Sequence, residues 1–260
     1  MESIHCRVAE TRREIDDALR LRWMVFEEEL GYLGARPSPR EVDGFDLMET
    51  TIHVVAYADG VAVGTGRLLL PNPEVARARG EGIGLDLEGR YDLGSLAAPG
   101  VSPAEVTRVC VVRAFRGAGV VEALIARMHC ESARRGVTHW VAAANTQTDA
   151  AEDAALVVQV AAARGLVSSR YRLTPRPPST PPSTPPATPT ARLYDAEAWR
   201  RAAAGDLGGL PLPGPIAAFT RLGARICGPA VYDARFQRFA APLGCALDEV
   251  NVAPTLDRAA

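Results

Sequence analysis

The stretch from Glu105 to Met128 constrains this chain more than any other. Residues 105–112, EVTRVCVV, form an apolar, β-branched run that reads as a central strand. A turn, Arg116-Gly117-Ala118-Gly119, follows it. Val121, Leu124, Ile125 and Met128 then recur on one face of a helix. In a strand–glycine turn–helix unit, the turn glycines let backbone N–H groups come close to a phosphate, and the helix N-terminus adds partial positive charge. Arg116 adds a side-chain fork. Taken alone, the same turn serves equally well as steric relief at a strand–helix joint.

The rest of the chain supplies a sheet around this unit. Residues 4–8 read as a first strand. Thr11 and Glu14 have capping-box spacing, and Ile15, Leu19, Trp23, Phe26 and Leu30 continue a helix to Gly31. Residues 35–45 read as a loop. Residues 52–58 and 61–70 flank Asp59-Gly60 and predict a hairpin. A Gly/Pro-rich connection runs on to about residue 103. Residues 139–145 predict a strand, Asp149 and Glu152 a capping pair for a helix ending near Gly165, and residues 166–173 another strand. The order predicts an α/β (α+β) architecture, a mixed sheet with helices on both faces.

Residues 174–190, TPRPPSTPPSTPPATPT, are expected to hold no regular structure, because proline fixes φ and lacks a donor. Helices near 194–204 and 215–222 and short apolar segments follow. The expected organisation is a core over 1–173, a Pro-rich linker or insertion over 174–192, and a part at 193–260 that completes the same domain. By composition the Pro-rich stretch reads as a tolerated insertion, with a docking motif as the alternative.

Charge and missing motifs narrow the chemistry. The net charge is −2, every basic side chain is arginine, and the arginines are spread along the chain, so nucleic acid is not an expected partner. Without lysine there is no Walker motif, and neither GxGxxG nor GxSxG occurs. His5, His53, His129 and His139 share no metal-ligand spacing, so no metal is expected. His129 and Cys130 sit in a helical run and read as core or rim. The five cysteines, Cys6, Cys110, Cys130, Cys227 and Cys245, are scattered and odd in number, which fits a reducing compartment. Residues 1–17 lack an apolar run, and no stretch suits a bilayer, so a cytoplasmic location is expected.

Two further constellations carry chemistry. Glu105 and Arg108 lie three apart on the strand, and a bulge would turn them to the same side and free backbone polar groups to polarise a carbonyl. Otherwise they are solvated charges at a strand start. Asp43 and Asp46, in EVDGFD, together with Arg67, in GTGRLL, can hold an ammonium or form ion pairs.

Together these features resemble the GNAT superfamily of N-acyltransferases. The turn is similar to its pyrophosphate motif R/Q-x-x-G-x-G/A, with Arg116 and Gly119 matching and Val121 replacing the final small residue. That replacement matters less for the single phosphate of a carrier-protein pantetheine arm than for the diphosphate of CoA. Residues 19–128 more narrowly resemble the acyl-homoserine-lactone synthases, N-acyl amino acid synthases and ornithine-lipid acyltransferases. Arg22, Phe26, Asp43, Asp46, Arg67, Glu105 and Arg108 fall on that group's characteristic positions. Gly223, Asp233 and Phe236 are similar to the tail of the amino-acid and ornithine-lipid branch.

The resemblance implies a GNAT-like three-layer mixed sheet, splayed where pantetheine enters. It implies direct transfer, from an acyl carrier protein or acyl-CoA as co-substrate, of a medium- or long-chain acyl group to the amine of an amino acid or related acceptor. No permanently bound cofactor is implied. The expected roles are Glu105 as base, Arg108 as its orienter or as the seat of an acceptor carboxylate, and the N–H of Val111 or Val112 on the thioester carbonyl. Arg116, Gly117, Ala118 and Gly119 would hold the phosphate. Arg22, Phe26, Asp43, Asp46 and Arg67 would order the acceptor side. Cys110 reads as a buried strand residue. An acetyl-CoA-dependent acetyltransferase, a peptide-amine acyltransferase and a non-catalytic acyl-carrier-binding module are the alternatives, and donor and acceptor scans separate them.

Overall fold

A computed structural model of the chain describes residues 4–34, 38–80, 82–177 and 184–252. In chain order the elements are β1 (Ile4–Val8), α1 (Arg12–Trp23), β2 (Thr51–Ala58), β3 (Val61–Leu69), α2 (Pro73–Arg79), β4 (Tyr91–Asp92), β5 (Pro103–Val111) and α3 (Val120–Arg134). There follow β6 (His139–Asn145), α4 (Ala151–Ala163), β7 (Thr174–Pro175), α5 (Ala196–Ala203), α6 (Gly214–Arg221), β8 (Arg225–Ile226), β9 (Val231–Asp233) and β10 (Arg238–Ala246). The chain forms two compact units, one of Met1–Asp86, Val101–Trp140 and Val252–Ala260, the other of Leu87–Gly100 and Val141–Asn251.

In the first unit β1, β2, β3 and β5 pair in that order, all antiparallel. Alternation along these strands sends side chains to two faces. On one face Val55 and Tyr57 pack with Ala18 of α1, and Cys110 packs with Leu21 and Val25. On the other face Gly64 and Gly66 of β3 lie under α3. A Cβ on Gly64 would sit 2.6 Å from Val120 Cγ1, and one on Gly66 would sit 3.0 Å from Met128 Cε. The VGTGR pattern is therefore a close-approach requirement, and it sets α3 flat on the sheet.

α1 starts as its sequence predicts. Thr11 accepts from the Glu14 N–H, and the Glu14 carboxylate accepts from the Thr11 N–H, which satisfies two donors of the first turn. The α-helix stops at Trp23 and continues as a π-helical turn, Met24–Glu29, before Gly31 at φ +62°. Through that turn Phe26 and Leu30 still pack on the cluster of Leu21, Val25 and Cys110.

In the second unit β8 and β9 pair antiparallel with β10, which neighbours β6, and β4 pairs with β7. Gly223 is required there, because at φ +104° a Cβ would stand 2.4 Å from the Glu249 carbonyl oxygen. Asp233 forms an ion pair with Arg90.

Four expectations are corrected. Residues 71–103 are not mere connection: Asn72 caps α2, Pro73 opens it and Gly80 closes it at φ +79°. Residues 166–173 form no strand beyond a one-residue bridge from Val167 to Ile226, because Ser168 Oγ accepts from the N–H groups of Arg170 and Tyr171 and turns the chain. Asp149 does not cap α4, whose cap position is Ala150; its carboxylate accepts from the N–H groups of Thr190 and Ala191. The Pro-rich stretch contributes Thr174 and Pro175 to a two-residue ladder with Asp92 and Tyr91. Its residues 178–183, and residues 35–37 of the expected loop, lie outside the described residues.

Candidate active site

All the candidate residues lie in the first unit. The site is built on an irregularity of β5. Thr65 pairs with Cys110, yet Arg67 pairs with Thr107, so β5 carries one residue more than β3 across that interval. The surplus falls at Arg108, a non-glycine residue at φ +58°. Beyond it Glu105 pairs with Leu69, two residues from Arg67 and so on the same face of β3. The bulge thus turns Glu105 and Arg108 to one side, and Glu105 is buried there.

On that side lies a network of three arginines and three carboxylates. Arg22, from α1, grips Asp46 with two hydrogen bonds, Nη1 to Oδ1 at 2.7 Å and Nη2 to Oδ2 at 2.9 Å. It also holds Glu41, from Nε at 2.5 Å and from Nη2. Arg67 Nη1 donates to Asp43 Oδ1 and to Asp46 Oδ1, each at 2.6 Å. Arg108 Nη2 reaches Asp43 Oδ2 at 2.8 Å, and its Nε faces Glu41 Oε2 at 3.3 Å. The charges balance and every carboxylate is multiply bonded, which is what burial of ions requires. Arg22 and Arg67 are completely buried.

The EVDGFD loop is folded by the same groups. Asp43 Oδ1 accepts from the Phe45 N–H, and Asp46 Oδ2 accepts from the Asp43 N–H, so the loop carboxylates fix their own backbone as well as pairing with the arginines. Burial alone would raise the Asp46 carboxyl, but the hydrogen bonds and charge of Arg22, with the charge of Arg67, hold it below the usual range. Burial and the nearby Arg108 would lower Arg67, and Asp43 and Asp46 outweigh them. Arg67 Nε and Nη2, the donors along one edge of its guanidinium, have no hydrogen-bond partner among the described residues.

At the other end of β5 the structure separates two candidate amides. The Val112 N–H donates to the Val63 carbonyl at 3.0 Å. Val63 and Val112 are therefore a hydrogen-bonded pair, and the adjacent pair, Gly64 and Val111, is not. The Val111 N–H points away from β3, and Val112 is removed as a carbonyl-polarising group. Gly117 and Gly119 both take positive φ, at +82° and +81°, with Ala118 between them, and α3 begins at Val120. The Arg116 side chain turns back: its Nε donates to the Val111 carbonyl at 3.0 Å and its Nη2 pairs with Glu29.

Phe26 packs with the Leu21, Val25 and Cys110 cluster. Cys110 is the buried strand residue expected, and burial pushes its thiol up in pKa. One network member and one neighbour of it escaped the sequence reading. Glu41 stands two residues before Asp43 in the same acidic loop, a usable signal. His53, on β2, gives none. Its Nε2 lies 3.0 Å from the Asp46 carbonyl oxygen, and burial lowers its pKa.

The sequence profile described as an acetyltransferase (GNAT) domain matches residues 21–126, the stretch that contains every candidate residue. No curated protein matches the chain in sequence. Among solved structures it is similar to FeeM, an N-acyl amino acid synthase from uncultured soil microbes, with 12% identity over 96% of this chain and 93% of that one, at a TM-score of 0.54. It also matches the AHL synthase LasI, with 12% identity over 95% and 91% of the two chains at 0.48. The CoA-dependent acyl-homoserine lactone synthase BjaI, with SAM and isopentyl-CoA, matches at 16% over 95% and 84%, at 0.47. Among the described residues no helix is long and apolar enough to cross a membrane. Residues 21–126 therefore carry the pattern of an acetyltransferase (GNAT) domain, and the fold is one shared with FeeM.

Proposed function

We propose that the protein transfers a medium- or long-chain acyl group from an acyl-carrier-protein or CoA thioester to the amine of an amino acid. The observation that carries this reading is the bulge at Arg108, which brings Glu105 to the same face of the sheet as the six-charge network. The narrow sequence resemblance and the fold shared with FeeM support the acyl-amino acid branch.

The donor's pantetheine runs along β5, with its phosphate at Arg116, Gly117, Ala118 and Gly119. The Val111 N–H polarises the thioester carbonyl as negative charge develops there. The acceptor amine, delivered as an ammonium, loses a proton to Glu105, directly or through one water. The nitrogen then attacks, a C–N bond forms, the C–S bond breaks, and the departing thiolate takes up the second proton that the nitrogen sheds on becoming an amide. Arg108, neutralised by Glu41 and Asp43, orients the base side. The unmet edge of Arg67 matches the two oxygens of an acceptor carboxylate. Arg22, Asp43 and Asp46 hold the loop over the acceptor, and Phe26 packs beside them with Leu21, Val25 and Cys110.

Intact mass spectrometry of products tests this. Acetyl, octanoyl and palmitoyl donors, each on CoA and on carrier protein, are offered with pooled amino acids and with their decarboxylated amines. A long-chain N-acyl amino acid, with no product from the amines, is the expected outcome. Transfer from acetyl-CoA alone sinks the long-chain reading, and equal acylation of the amines sinks the carboxylate seat.

A further inference from the structure

The donor loop already holds an anion, and it is the protein's own. Glu29, the last residue of the π-helical turn, places one carboxylate oxygen 3.1 Å from the Arg113 N–H and the other against Arg116 Nη2. One donor is a backbone amide just past the end of β5, and the other is the guanidinium that opens the Arg-Gly-Ala-Gly turn. Two donors converging on one carboxylate is the arrangement that a phosphate would use. The pair is not sealed: the Arg116 side chain is 42% exposed and that of Glu29 17%. Val121 stands nearby in sequence where the diphosphate motif carries a small residue.

We infer that Glu29 is an internal stand-in for the donor's phosphate and sets which donors are accepted. It holds Arg116 and the loop in order while the site is empty, and an incoming phosphate must displace it. Its negative charge, a few ångströms from the seat, then opposes each further phosphate the donor carries. A pantetheine arm with one phosphate meets that repulsion once. CoA, with three phosphates, meets it more strongly, so Glu29 tilts selection toward a carrier-protein donor. The inference rests on the proposed seat of the donor phosphate at this turn.

Calorimetric titration of the full chain with CoA, 4′-phosphopantetheine and pantetheine tests it without any acceptor. In Glu29→Gln, which keeps the shape and removes the charge, phosphopantetheine should bind about two- to fivefold tighter. CoA should gain more, and pantetheine should not change. Glu29→Ala should shift affinities in the same direction, and thermal melts of both variants check the fold. Unchanged or weaker CoA binding in both variants overturns the role of Glu29. The seat itself is judged separately: Arg116→Ala should weaken phosphopantetheine relative to pantetheine. Equal binding of those two ligands to the unaltered chain removes the seat, and the inference with it.

Discussion

Glu105 and Arg22 are both buried, and their loss should read differently. Glu105→Gln keeps the size and replaces one acceptor oxygen with an amide donor, so it should lower kcat by about a hundredfold or more, with a thermal melt to check the fold. An unchanged kcat across pH would remove Glu105 as the base. Arg22→Met removes the cation that bonds both Glu41 and Asp46 and leaves two buried carboxylates short of a partner. It should cost about 3–5 kcal/mol of stability, read by denaturant unfolding. Loss of activity without loss of stability would mean that Arg22 acts on substrate instead. The network's parts were legible to different degrees. Asp43, Asp46 and Arg67 announce themselves by charge pattern, whereas Glu41 joins only because the loop curls its carboxylate between Arg22 and Arg108.

At the scale of elements, β3 and α3 depend on each other. Gly64→Ala puts a methyl group into Val120, and the cost should be about 1–3 kcal/mol with a lowered melting temperature. A compensating Val120→Ala should recover part of it, and no recovery would place the strain elsewhere. The alternation of VAVGTGRLLL identifies the strand. Its two glycines show their purpose only when α3 is laid across them. The opposite failure occurs at 166–173, where a run of acceptable strand composition is turned by the hydroxyl of Ser168, a local hydrogen bond that overrides propensity.

The whole molecule should be acid-sensitive in a calculable direction. Asp16 is lowered by the Arg40 and Arg20 hydrogen bonds. In Asp46 and Asp149 burial works upward and is outweighed, by Arg22 and Arg67 in the first and by the backbone of residues 190–191 in the second. A carboxyl lowered in the fold contributes stability that is complete above its unfolded pKa, about 4, and lost as pH falls through the folded value. His53, lowered by burial, adds a loss that begins below about 6.5, where only the unfolded state takes up its proton. The melting temperature should therefore be level above pH 7, decline gently toward pH 5 and drop steeply below 4. A level profile down to pH 3 would contradict the buried network.

The sequence by itself determined the strands at 4–8, 52–58, 61–70, 105–112 and 139–145, the capped first helix, the glycine turn and the residue types of the site, because those follow from periodicity, caps and side-chain chemistry over a few neighbours. It also placed Glu105 and Arg108 where a bulge would matter. Only the tertiary structure decided that the bulge lies at Arg108, that the Val112 amide donates to Val63, and that Glu29 meets Arg113 and Arg116 at the glycine turn. Those facts depend on register between strands and on contacts such as the one joining residues 29 and 116. No local pattern encodes that pairing, because it arises only when the sheet brings distant segments within hydrogen-bonding reach.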